Sequence, residues 1–160
     1  MLHVKKYYFC HLLIVTNMAL IVKKSKLPNA GKGLFTTKAI KKDSRVIEYK
    51  GEIITWKEYG KRVEENKDGY LFYINRNRCI DAYPTPHYKA RYANDANGLV
   101  RIKGVKNNCE YQIFDNKCYI MAVRDIKAGE EIFVDYTKGY WDTVRDNIKS
   151  GHEKDPRKAR

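Results

Sequence analysis

The stretch GEEIFVDYTKGYW, residues 129–141, places a phenol where it could meet a ligand. A charged pair opens it, an apolar-rich strand follows, and Asp135-Tyr136 closes the strand. A second aromatic pair, Tyr140-Trp141, comes four residues later. Two readings fit. Either the aromatics close a core, or Tyr136 stands at a reacting centre. Three other stretches pose the same choice. Gly31-Lys32-Gly33 sets two glycines around one residue, which lets backbone approach a ligand closely; alone, it also reads as a plain turn. It is not a phosphate loop, because the G-x-x-x-x-G-K-[ST] spacing is absent. Glu48-Tyr49-Lys50-Gly51-Glu52 is the second. The third is Arg91-Tyr92-Ala93-Asn94-Asp95-Ala96 with Asn107-Asn108-Cys109-Glu110 some ten residues on. Asn-rich loops usually bond their own backbone.

The elements that must position these residues are short. Ala19 to Lys24, Leu34 to Thr37 and Arg45 to Lys50 read as strands, and Gly51 to Ile54 continues the extended run. Thr55 and Glu58 have capping-box spacing, so a short helix starts there, with Trp56, Tyr59 and Val63 on one face. YLFYIN and RCIDA flank Arg76-Asn77 as a strand pair. Pro84 and Pro86 force a loop, and His87 to Ala96 holds an irregular helical turn or two. Cys109 to Phe114 and Lys117 to Val123 form a hairpin around Asp115-Asn116. Ile132 to Tyr136 is the last strand. This pattern is mainly β and lacks the βαβ alternation of a dinucleotide-binding fold.

The bulk numbers agree with one globular domain. The chain has 160 residues, 43% hydrophobic and 32% charged, which suits a folded chain better than a disordered one. Thirteen tyrosines supply apolar area with a hydroxyl attached, suited to half-wet clefts. A low-GC genome would also enrich tyrosine. The net charge of +13 favours polyanionic partners. The basic residues are spread along the chain, and no helix-turn-helix, zinc-finger or RNP pattern is present. No two of the four cysteines have C-x-x-C spacing, so zinc is not expected and buried thiols in a reducing compartment are. The apolar run Phe9 to Val15 is too short to span a bilayer. Residues 1–17 read as an extension from a start assigned too early, with Met18 the natural start.

Taken in order, GKG, YKGE, CIDA, RYAND, NNCE and GEEIFVDY resemble the SET-domain protein lysine methyltransferases. There, G-x-G, Y-x-G-E, a strand ending in D-A, R-[FY]-x-N-H-S, a P-N-C-type stretch and G-E-E-[LI]-x-x-D-Y follow one another. The resemblance runs from about Ala19 to Trp141. It implies a SET catalytic domain over 18–141, followed by a basic tail over 142–160. The implied fold is small curved β-sheets with short helices and a C-terminal pseudo-knot, where the chain near Asn94 crosses the chain near Tyr136. It implies S-adenosylmethionine as cofactor and no metal. By position, Lys32, Gly33 and Leu34 would offer backbone to the cofactor, and Asn94 would hold its amino-acid end. Asp95, Tyr70 and Trp141 would join that site, and Tyr136 would be the central catalytic tyrosine. Tyr49 would line the lysine channel.

The chemistry suits these residue types. Deprotonating a lysine of pKa near 10.4 costs roughly 4 to 5 kcal/mol at pH 7. A narrow dry channel favours the neutral amine, aromatic walls tolerate a methylated ammonium, and in-line positioning lowers the barrier further. The chain departs from the family in three places. Asn94-Asp95-Ala96 replaces N-H-S, placing an aspartate near a cationic sulfonium. GLVRIKGVK (98–106) is inserted as a surface loop. Val134 stands where an aromatic is common, which leaves room for more than one methylation unless another residue refills it. The zinc cluster that follows many SET domains is absent, and Tyr140-Trp141 either covers the adenine in its place or caps the core.

The implied partner is a protein with an exposed lysine, such as a histone or ribosomal protein. Nucleic acid could bind the basic surface; no membrane is implied. A basic enzyme repels a basic peptide, so Glu48, Glu52, Asp81, Asp95, Glu110, Glu130, Glu131 and Asp135 are expected to make the channel mouth acidic or neutral. The alternative is a non-catalytic basic module associated with nucleic acid or chromatin-like complexes. The place of action is expected to be the bacterial cytoplasm or, for an exported effector, a host nucleus.

Overall fold

A computed structural model describes residues 20–65 and 67–151. The expectations for residues 1–17, Met18 and Cys10 lie outside them. Nine strands form three small antiparallel sheets. In the first, β1 (Leu20–Lys24), β2 (Lys32–Thr36) and β9 (Glu131–Ile132) lie side by side in that order. In the second, β8 (Lys117–Ala122) lies between β3 (Arg45–Tyr49) and β7 (Cys109–Phe114). In the third, β6 (Arg78–Asp81) lies between β4 (Glu52–Ile54) and β5 (Leu71–Asn75). Two helices, α1 (Trp56–Glu64) and α2 (Thr137–Lys149), and a 3-10 turn (Lys89–Tyr92) complete the described chain. The mainly β expectation and the short helical turn within 87–96 both hold.

Local chemistry sets these boundaries. Thr55 caps α1 through a full capping box with Glu58, which satisfies otherwise orphaned amides. Asp115 and Asn116 both take left-handed backbone, at φ 50° and 54°, as the two-residue turn between β7 and β8 requires. No α1 side chain is buried. Trp56 instead stacks on Tyr59 at 4.7 Å and stands edge-on to Tyr73 at 5.3 Å. The core joins all three sheets through Leu34, Val46, Ile80, Ile120, Ile132 and Val134.

Two expectations change. The last strand is not a ladder to Tyr136. It pairs as a strand only over Glu131–Ile132, then makes single parallel bridges, Phe133 with Asn94 and Val134 with Cys109. The segment passes between two other chain segments, so its hydrogen bonds go alternately to each side: Val134 N donates to Asn94 O, and Cys109 N donates to Phe133 O. This is the expected crossing. Second, the segment read as a tail from residue 142 is helical as far as Lys149. Trp141, Val144 and Ile148 recur at helical spacing and are half-buried, a periodicity hidden by the lysines and aspartates between them.

Candidate active site

The crossing gathers the family motifs around a cavity of about 470 Å³, within the range of small-molecule sites. Its walls come from residues 27–32, from Gly69 and Tyr70, from Arg91, Tyr92, Asn94 and Asp95, from residues 98–100, and from Tyr136, Tyr140 and Trp141. Lys32, Tyr70, Asn94, Asp95, Tyr136 and Trp141, all singled out in the sequence, line it. Gly33, Leu34 and Tyr49 do not.

Gly33 is small for a different reason. A Cβ there would fall 2.1 Å from Glu131 Oε1, so the glycine makes way for a buried carboxylate. Leu34 is fully buried and lies in the core between β1 and β9. Tyr49 is buried behind Tyr70, and its hydroxyl donates to Tyr70 O at 3.0 Å. Tyr49 also lines a second, smaller cavity of about 160 Å³.

Asp95 differs most from expectation. Its carboxylate is only 4% exposed. Asn97 N and Asn107 Nδ2 donate to Oδ1, at 2.7 and 2.8 Å. Tyr136 N and Trp141 Nε1 donate to Oδ2, at 2.9 and 2.7 Å. The charge is taken up by four protein donors, and Asp95 acts as the clasp of the crossing. Trp141 is thereby held with its ring parallel to Tyr136, at 10° and 6.0 Å. Gly98 gives the indole its space, since a Cβ would come within 2.6 Å of Cζ2. Trp141 therefore both walls the cavity and packs on its neighbours. Asn94 is tied in too: Nδ2 donates to Lys32 O at 2.9 Å and to Glu131 Oε1 at 3.4 Å.

Glu131 and Asn108 carry more structure than their sequence context suggested. Both are 1% exposed. Glu131 accepts from Ser25 Oγ at 2.6 Å and Lys26 N at 2.8 Å. Asn108 Nδ2 donates to Glu131 O at 2.7 Å, and its Oδ1 accepts from Phe133 N at 2.9 Å. Buried polar groups this well paired pin a unique register. They also remove acids from the surface. Of the acids expected at the mouth, Asp81, Asp95 and Glu131 are buried. Asp81 accepts from Arg62 Nε at 2.7 Å, and Asp135 caps Thr137 N at 2.8 Å. Lys32 and Arg91 line the larger cavity, where the sole acid is the saturated Asp95.

Behind Tyr136 the wall is aromatic. Tyr140 stands edge-on to it at 5.1 Å, and Tyr111 stacks at 6.3 Å. Tyr111 in turn touches Phe72 at 5.0 Å and Tyr49 at 5.8 Å. The Tyr136 hydroxyl donates to Ala93 O at 2.6 Å. Burial pushes the Tyr136 phenol well above its usual value, with Tyr140 and other neighbours adding to it. Tyr49 is likewise raised by burial, against a lowering by Arg91. These phenols stay neutral near pH 7, so they orient groups and do not act as bases. Cys79, Cys109 and Cys118 are free and buried. Burial raises the thiols of Cys109 and Cys118 to about 12, which makes them inert. Among the described residues no His, Cys, Asp and Glu cluster could hold a metal, and no helix is long and apolar enough to cross a membrane.

Three short sheets, a threaded C-terminal strand and an aromatic-walled cavity at the crossing define the SET architecture. The SET domain family model matches residues 31–137, and the chain belongs to that family. It is 34% identical over 158 residues to the histone-lysine N-methyltransferase EZH2 of Chaetomium thermophilum, covering 89% of this chain and 10% of that protein. It is 32% identical over 159 residues to the histone-lysine N-methyltransferase MEDEA of Arabidopsis thaliana, covering 92% and 22%. The chain thus spans a small fraction of these relatives. Among solved structures it resembles an active polycomb repressive complex 2 in the basal state, with TM-score 0.61, 32% identity, and coverage of 76% of this chain and 15% of that one. It also resembles a humanized mutant of the Chaetomium thermophilum Polycomb Repressive Complex 2 bound to the inhibitor GSK126, with TM-score 0.60, 31% identity, and coverage of 74% and 15%.

Proposed function

We propose that this chain transfers methyl groups from S-adenosylmethionine to the side-chain amine of lysine in a protein, with histones or histone-like proteins the first substrates to try. The observation that carries this reading is the placement of Tyr136. It lines the larger cavity on one side and meets the Tyr111–Tyr49–Phe72 cluster on the other. A cofactor-sized space and a cluster of packed aromatic rings share one tyrosine. That its relatives are histone-lysine N-methyltransferases supports the substrate class.

The cavity's composition fits S-adenosylmethionine. The parallel Tyr136 and Trp141 rings offer flat apolar faces, Lys32 offers a cation to a carboxylate, and Gly98 keeps space for the indole. Bound there, the molecule would supply a sulfonium methyl to the amine lone pair, with the C–S pair kept by sulfur and the amine's proton released to water. The chain's own residues dehydrate and orient. Phe72, Tyr49 and Tyr111 disfavour a charged amine by excluding water, and their faces accept the methylated ammonium. Tyr136 stays neutral.

Calorimetry with S-adenosylhomocysteine tests the cofactor half. Saturable binding that quenches tryptophan fluorescence in the native chain, and not in Trp141→Phe, is the expected result. An absence of binding, with salt-dependent DNA binding instead, would leave a non-catalytic module.

A further inference from the structure

The smaller cavity, of about 160 Å³, shares only Tyr49 with the aromatic cluster beside Tyr136. It lies where the second and third sheets meet. Three cations line it from three elements: Lys50 at the link between β3 and β4, Arg78 on β6 and Lys117 on β8. Register explains the gathering. Arg78 and Ile80 share one face of β6, and Ile53 on β4 is paired with Ile80. Asn75 Nδ2 donates to Asn116 Oδ1 at 3.3 Å, which ties the end of β5 to the β7–β8 turn and sets Lys117 and Arg78 on one cavity. One wall is fixed by backbone. A Cβ on Gly51 would fall 2.3 Å from Asp81 O, so the β3–β4 link runs hard against the end of β6.

The charges on this cavity are not balanced. Among the described residues the sole acid lining it is Glu48. Glu48 stands 3.5 Å from Lys50, beyond the roughly 2.7 to 2.9 Å of a strong charge-assisted hydrogen bond. Arg78 has no counterpart. Its Nε is buried and unpaired, and among the described residues its guanidinium enters no hydrogen bond or ion pair. Solvent accounts for Lys50 and Lys117, which are exposed. It does not account for Arg78, because a desolvated donor on a cation is unfavourable without a partner. The flat fork of an arginine suits two oxygens of one anion.

We infer that this cavity is a binding site for a phosphate monoester, the group that a phosphorylated protein side chain carries, with Arg78 as its fork. Three cations against one carboxylate leave two positive charges. That matches a monoester, at about −1.5 to −2, better than the single charge of a carboxylate. The volume is about five waters' worth, below the roughly 300 Å³ at which drug-sized pockets begin. It therefore takes an end group and not the body of a ligand. A phosphodiester inside a nucleic acid is tied on both sides and presents no such end. The site stands apart from the methyl-transfer reading and holds whether or not the chain modifies lysine.

The test titrates the full chain with sodium phosphate and with N-acetyl-phosphoserine amide, by calorimetry and by melting, at constant ionic strength in chloride. Both ligands should bind saturably and raise Tm. Arg78→Met should weaken both on the order of tenfold or more, and Lys117→Ala by roughly a few-fold, as lost charge-assisted contacts do. Because Arg78 has no protein partner, unliganded Arg78→Met should melt no lower than the native chain. No saturable binding of either ligand, or affinities unchanged in both variants, overturns the site. An Arg78→Met Tm lowered by more than a few degrees also contradicts it, since the arginine would then serve the fold. Inorganic phosphate bound with the phosphoserine amide excluded overturns the monoester assignment in favour of free phosphate. Duplex DNA whose binding needs Arg78, with neither small phosphate bound, replaces the site with a nucleic-acid contact.

Discussion

Replacing Asp95 by Asn should damage this protein far more than a one-atom change suggests. The carboxylate accepts from Asn97 N, Asn107 Nδ2, Tyr136 N and Trp141 Nε1. Each oxygen faces two donors. An asparagine amide must turn its NH2 toward one of those pairs. Two hydrogen bonds to a charged group are then lost, at about 1.5 to 3 kcal/mol each. The surviving two become neutral and weaker. The loss is about 3 to 6 kcal/mol, against a total domain stability of about 5 to 15 kcal/mol. At about 2 to 4 °C per kcal/mol for a chain of this size, Tm should fall by roughly 6 to 24 °C. Differential scanning calorimetry measures it directly. Asp135→Asn is the control: that side chain is exposed and caps a single amide, so its cost should stay below about 1 kcal/mol. If Asp95→Asn melts within 2 to 3 °C of the native chain (roughly 1 kcal/mol), the clasp is not what holds the crossing together.

Gly98→Ala should act on binding more than on folding. Its Cβ would lie 2.6 Å from Trp141 Cζ2, so the indole must move, at about 1 to 3 kcal/mol. Calorimetric affinity for S-adenosylhomocysteine should drop about tenfold or more; unchanged affinity would remove Trp141 from the site. The buried tyrosines fix a pH dependence. Tyr49, Tyr111 and Tyr136 have folded-state pKa values raised by burial. Native and unfolded chains therefore hold the same phenolic protons below about pH 10. Above it the unfolded chain ionises first and stability falls. Chemical denaturation should find stability insensitive to these groups from pH 7 to 9 and falling from pH 10 upward, and methyl transfer between pH 7 and 9 should show no tyrosine inflection.

Much of this arrangement was legible in the sequence because its signals are local. The Thr55–Glu58 capping box, the Asp115-Asn116 turn and the YLFYIN/RCIDA strand pair each depend on residues close in the chain. The ordered motifs placed Lys32, Asn94, Tyr136 and Trp141 at one cavity. What escaped was pairing across long separations. Nothing near Gly33 announces that it faces Glu131, 98 positions later in the numbering. Asp95 looked like free charge beside a ligand because its partners Asn107, Tyr136 and Trp141 are local to other elements. The contact between Tyr111 and Tyr136 was hidden for the same reason: it follows the Cys109–Val134 bridge, which a hairpin pattern does not disclose. Helix α2 was missed because three apolar positions among many charges give a narrow stripe, and tertiary packing decided the outcome.

The acids teach a further lesson. Residue type alone does not make Asp81, Asp95 and Glu131 surface charges. All three are buried and bonded. Their negative charge holds the fold, which leaves the exposed surface more basic than the formal +13 alone implies.

The most direct test of the central claim is transfer itself. The native chain and Tyr136→Phe are incubated with radiolabelled S-adenosylmethionine and a panel of core histones, ribosomal proteins and whole lysate. Both variants are first checked for cofactor binding by calorimetry. The account requires label on a discrete protein band with the native chain, resistant to acid as an N-methyl amine is. With Tyr136→Phe, label should fall on the order of a hundredfold, as for a lost positioning contact, while cofactor still binds. Bound cofactor with no label on any protein, or full label from Tyr136→Phe, would contradict it.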